Sequence, residues 1–139
     1  MYNKILITLD ATKSDRAILD HIRPLARQFH SHLILLHVAD GWAARRFGAE
    51  AVSAEVTEDR AYLEKIRADL AAEGFSDVET ALAYGEPSVE IVRWVEKEGC
   101  DLIAMSTHGH RLLGDLIFGT TASKVQHRVN IPVLLLRAK

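Results

Sequence analysis

The 139-residue chain has only one cysteine, Cys100, so it cannot close an intramolecular disulfide, and a reducing compartment is the expected setting. It has no excess of basic charge: 17 Lys and Arg stand against 19 Asp and Glu, for a formal net charge of −2. No stretch gathers basic residues into a stripe, which argues against a nucleic-acid or anionic-membrane surface. No apolar run approaches the roughly 20 residues needed to span a bilayer. The opening MYNKILITLD lacks a charged lead into a long apolar run and does not read as a signal peptide. Internal repeats, low-complexity segments and convincing linkers are also missing. What is present is 48% hydrophobic residues, enough for one sizeable core. The expectation is a soluble, cytoplasmic protein whose residues 1–139 form one α/β domain.

Four short runs rich in leucine and β-branched residues stand out: KILITL (4–9), HLILLHV (32–38), LIAMS (102–106) and IPVLLL (131–136). Near-continuous apolar runs of this length are how strands buried on both faces read. A fifth run, DVETALAY (77–84), alternates and belongs nearer a sheet edge. Helical spacing fills the gaps. Ser14 is a candidate cap before Ile18, Ile22, Leu25, Ala26 and Phe29. Thr57 precedes a second helix with Leu63, Ile66 and Leu70 on one face and Gly74 as its stop. Pro87 starts a third, with Ile91, Val92 and Val95 inward and Gly99 at the exit. A fourth begins at Thr120 and carries Ala122, Val125 and Val129 inward, and Pro132 prevents its extension. Strands alternating with helices imply a doubly wound parallel sheet with helices on both faces. Residues 39–56 form the one long connection, alanine-rich and read here as a loop with some helical content.

In such a sheet, ligands bind beyond the carboxyl ends of the strands where strand order reverses. The first strand ends at Leu9-Asp10 and the fourth near Met105-Ser106. If these two are central neighbours, LDATKSD and STHGHRLLG meet at one crevice. Gly109 allows backbone amides to approach an anion without a Cβ in the way. Gly119-Thr120-Thr121 opens a helix whose free amides and dipole attract phosphate, with hydroxyls as further donors. Singly, each glycine reads as an ordinary turn and each threonine as a cap; together, at the switch point, they point to a phosphate-bearing ligand.

Segment 99–136 resembles the carboxyl-terminal half of the universal stress protein family, YGEPSVEIVRWVEKEGCDLIAM resembles its entry to the third helix, and KILITLDATKSD its first strand and acidic turn. The likeness covers nearly the whole chain and is weak only across 39–76. It implies five parallel strands in the order 3-2-1-4-5. The family's nucleotide-binding branch carries glycine, two residues, glycine, nine residues, then glycine and serine or threonine. Gly109, Gly119 and Thr120 match; the first glycine falls on Ser106. The resemblance implies that Leu9 and Asp10 flank ribose and adenine, that the Val38 backbone meets the adenine edge, and that Met105 and Ser106 border the site. It assigns Gly109, Gly119, Thr120 and Thr121 to the phosphates, with His110 and Arg111 reaching them. The implied ligand is ATP or another adenine nucleotide, with Mg left open as its companion. The implied function is a dimeric stress-response sensor or adaptor, paired through strand 131–137 and serving an unidentified client protein. A nucleotide-free dimeric interaction module of the same fold is the alternative.

Several other readings rank lower. THGH (107–110) fits a nucleotidyltransferase pattern, but such a motif follows the first strand of its fold and here follows the fourth. His30 with His32, and His108 with His110, have ligand-like spacing but no cysteine or carboxylate completing a set. A phosphoacceptor role for Asp10 fails because no acidic residue ends the third strand. Cys100 reads as a small buried residue. Trp42 and Trp94 read as packing residues, and Arg45 and Arg46 as solvated charges. No nucleophile–base pair is evident, so no catalytic residue is assigned and any ATP hydrolysis is expected to be slow.

Overall fold

A computed structural model of the chain describes residues 1–39, 49–107 and 120–137. Strands β1 (Lys4–Thr8), β2 (His32–Ala39), β3 (Val78–Tyr84), β4 (Leu102–Thr107) and β5 (Val133–Arg137) alternate with helices α1 (Asp15–Phe29), α2 (Ala49–Ala72), α3 (Pro87–Glu98) and α4 (Thr120–Arg128). All pairings are parallel, and the order is β3-β2-β1-β4-β5. β1 is therefore central. Its neighbours β2 and β4 leave it for opposite edges, which opens the crevice expected of this topology.

Alternation along the strands divides the core in two. Ile5, Ile7, Leu33 and Leu35 pack with Ile18 and Ile22 of α1 and Leu63 and Leu70 of α2. Leu6, Ile34, Leu36 and Ile103 pack with Ile91 and Val95 of α3 and Val125 of α4. Each fully buried leucine or isoleucine contributes about 1.5–3 kcal/mol relative to exposure. The two helix pairs thus cover opposite faces of one sheet.

Local chemistry explains the element ends, with two corrections to the sequence reading. Ser14 occupies the position before α1, but its side chain does not cap the helix. Its backbone is already helical, and its hydroxyl lies 2.6 Å from that of Thr12 instead. The carboxylate that organises this start belongs to the next residue, Asp15. The second correction is that α2 begins at Ala49, not after Thr57. Alanine has the highest helix propensity, and Ala49, Ala51 and Ala54 let the helix run back through part of the expected loop. The third helix follows expectation. Pro87 fills its first turn, the Glu86 carboxylate accepts from the Val89 amide at 3.1 Å, and Gly99 closes it in the left-handed conformation.

Candidate functional site

At the carboxyl ends of β1, β2 and β4, on the face covered by α3 and α4, lies a cleft of about 270 Å³. That is near the small end of ligand pockets, which run from about 300 to 1,000 Å³. Leu36, Val38, Ile91 and Met105 give it an apolar floor and wall. Thr8, Asp10, Ser106, Thr107 and Thr121 supply polar groups at its margins. Thr121 and Ala122 come from the first turn of α4, where backbone amides lack partners within the helix. One end of the cleft thus suits a flat apolar ring, and the other suits negative charge.

Six of the residues expected at the site come together here: Leu9, Asp10, Val38, Met105, Ser106 and Thr121 all border the cleft. Thr120 is the first residue of α4 and is exposed. Gly109, His110, Arg111 and Gly119 lie outside the described residues, as do Trp42, Arg45, Arg46 and most of THGH. Ser106 belongs to β4, and its φ is not positive, so serine there carries no left-handed strain. Strand alternation gives Met105 and Thr107 to the cleft face, so Ser106 meets the cleft at its rim. Its Oγ is buried and has no hydrogen-bond partner among the described residues.

The turn from β1 into α1 holds the least expected feature. Asp15 is buried, and its Oδ1 accepts the Asp10 amide at 2.8 Å while Oδ2 accepts the Ala11 amide at 2.9 Å. Oδ2 also accepts the Tyr62 hydroxyl of α2 at 2.7 Å. Burial, reinforced by this carboxylate, pushes the Tyr62 hydroxyl well above the ordinary phenol range, so it stays a donor. Ala11 is left-handed at φ 62°, and successive amides aimed at one acceptor form an anion nest, here filled by the chain's own carboxylate. Nearby, His37 Nδ1 donates to the Leu9 carbonyl at 2.7 Å, and its Nε2 faces Asp59 at 3.5 Å.

Sequence reasoning missed Asp15, Tyr62 and the cleft-lining Pro87. Asp15 could have been flagged by its place five residues after Asp10, since an acidic group in a helix's first turn can reach back to free amides. Tyr62 offered no such signal. The remaining candidates have structural roles. His32 is held between Asp77, at 2.6 Å, and Glu79, with one carboxylate on each ring nitrogen. His30 caps α1 in a left-handed conformation. Burial pushes the Cys100 thiol up to about 11, far from a reactive thiolate. Trp94 packs against the core with Lys97 over its ring. Among the described residues, no helix is long and apolar enough to cross a membrane.

Comparison with known proteins gives the chain a family. Residues 1–137 match the model of the universal stress protein family. Universal stress protein MJ0577 of Methanocaldococcus jannaschii is 28% identical, with 100% of this chain and 97% of that protein aligned. Its solved structure superposes with a TM-score of 0.85 at 31% identity, covering 100% of this chain and 98% of the other. A universal stress protein solved in complex with cAMP gives a TM-score of 0.74 at 18% identity, over 99% and 98% of the two chains. The Archaeoglobus fulgidus protein solved in complex with dAMP gives 0.69 at 24%, over 96% and 97%. With the sheet order, the switch-point cleft and a match spanning nearly every residue, the chain belongs to the universal stress protein family.

Proposed function

We propose that the protein binds an adenine nucleotide, with ATP as the reference ligand, in the cleft between β1, β2, β4 and α4, and acts as a dimeric stress-response regulator in the cytoplasm. The observation that carries this reading is the cleft itself: an apolar floor of Leu36, Val38, Ile91 and Met105 leads to the first turn of α4. Adenine is flat and weakly polar, and phosphate is an anion, so the two ends match the two halves of a nucleotide. That two proteins of the same fold were solved with cAMP and dAMP supports the adenine assignment.

In this reading Leu9 and Asp10 flank the nucleoside, the Val38 backbone meets the adenine edge, and Met105 and Ser106 border the sugar. Gly109, Gly119, Thr120 and Thr121 hold the phosphates, with His110 and Arg111 beside them and any Mg bound through those phosphates. The chain's contribution is binding and orientation. β5 is an edge strand whose Val133, Leu134, Leu135 and Leu136 are only partly buried, which supports pairing with a second copy along that strand.

Calorimetry with ATP and mass spectrometry of nucleotide released from heat-denatured protein test the reading. Stoichiometric nucleotide, and a loss of at least tenfold in affinity in Val38→Trp with unfolding of the nucleotide-free protein little changed, are the expected results. An empty protein that gives no heat with ATP yet remains dimeric in light scattering would assign it instead to a nucleotide-free interaction module.

A further inference from the structure

The β1–α1 turn is a partition between two depressions. Asp10 lines the cleft, while Ala11 and Thr12 line a groove between α1 and α2 that also includes Tyr62. One buried carboxylate, Asp15, takes both consecutive amides of the partition, and its second oxygen is shared with Tyr62. The turn needs such a lock, because alanine rarely adopts the left-handed conformation that Ala11 holds. We propose that Asp15 and Tyr62 are positioning residues of the cleft. The carboxylate fixes the turn that presents Asp10, and the tyrosine ties that lock to α2 on the opposite face of the sheet.

A consequence is coupling. A ligand that presses on Asp10 from the cleft stabilises the arrangement in which Tyr62 bonds Asp15, and seating of α2 strengthens binding in return. Without the tyrosine hydroxyl, the carboxylate loses the donor that fixes its rotation, and its bonds to the two amides weaken. The turn then samples positions in which Asp10 no longer borders the ligand. Burial and the Asp15 carboxylate keep the Tyr62 proton in place at neutral pH, so the hydroxyl acts as a donor there. The inference rests on the nucleotide reading of the cleft for its ligand, but not for the geometry of the turn.

The test uses Tyr62→Phe in the full chain. It combines ATP calorimetry, amide proton resonances of Asp10 and Ala11, and hydrogen exchange along α2 with and without saturating ATP. Expected results are a fivefold to twentyfold loss of ATP affinity and an upfield shift of both amide protons, which are displaced downfield when bonded to a carboxylate. ATP should slow exchange around Tyr62 in the natural protein, and that slowing should vanish in the variant; a merely structural tyrosine would not produce it. Affinity within twofold of the natural protein, with unmoved amide protons, overturns the proposal. If the natural protein gives no heat with ATP, the nucleotide reading fails by itself. The lock is then judged on the two amide protons: a shift in Tyr62→Phe upholds it, and none overturns it. Asp15→Asn, which keeps one acceptor oxygen, should shift the same protons further.

Discussion

Both ends of the central strand are held by an aspartate that accepts two consecutive backbone amides, yet the two devices differ in depth. At the amino end, Asp101 accepts from Asn3 at 2.8 Å and Lys4 at 3.0 Å and is partly exposed. At the carboxyl end, Asp15 makes the same pair of bonds with Asp10 and Ala11 but is 1% exposed and also takes a tyrosine hydroxyl. Water can replace Asp101's bonds and cannot easily replace those of Asp15. The difference teaches where this fold spends its buried polar chemistry. One aspartate ties a strand entrance to β4 at the solvent's edge, and the other shapes a turn that borders a cleft. A buried carboxylate is costly unless donors reach both of its oxygens, and Asp15 meets that condition with one on Oδ1 and two on Oδ2.

The largest test of the contrast replaces each aspartate by alanine. Asp15→Ala strands two amides and a hydroxyl in the interior and should cost about 3 kcal/mol, whereas Asp101→Ala leaves groups that water can reach and should cost about 1 kcal/mol. Chemical denaturation of both variants decides it. Equal losses would mean that burial is not what separates the two ends.

A smaller effect sharpens the carboxyl end. Ala11 tolerates φ 62° at a cost that a branched side chain would raise, so Ala11→Val should lose about 1–2 kcal/mol. Ala11→Gly removes the strain but loosens the unfolded chain, and should stay within about 0.5 kcal/mol of the natural protein. A stable valine variant would show that the turn relaxes out of the left-handed region.

The smallest effect, nil at neutral pH, reads the amino end through Cys100 beside Asp101. Burial raises the thiol to about 11, so folding favours the protonated form. That contribution is complete below the unfolded thiol's pKa near 9 and is lost as pH rises through about 11. Cys100→Ala should therefore lose less stability than the natural protein between pH 9 and 11, by no more than about 2 kcal/mol. Identical alkaline curves would show that water reaches the thiol in the folded state.

Much of the fold was legible because it is written in local periodicity. KILITL, HLILLHV and LIAMS are apolar along most of their length because both faces of a central strand are covered, and DVETALAY alternates because β3 is an edge. The glycine and proline around α3 marked its ends for the steric reasons that produce caps. The start of α2 was not legible, because an alanine-rich connection reads equally as helix or loop until packing decides. Of the site, Leu9, Asp10, Met105, Ser106 and Thr121 sit at strand ends or the start of a helix, where topology directs a ligand, whereas Val38 and the nucleotide roles came only from the resemblance to the family.

By itself, the sequence determined the order of strands and helices, the parallel sense of the sheet and the set of chain ends that gather at the switch point. These follow from spacings of two to four residues and from the rule that a strand must cross over a helix to run parallel. Only the tertiary structure decided that Asp15 serves the turn before it and that Tyr62, 47 residues on, donates to the same oxygen. It also decided that Ser106 stands at the rim of the cleft with its hydroxyl unpaired among the described residues. Hydrogen bonds between groups so far apart in the chain depend on how helices seat on a sheet, and no local pattern encodes that.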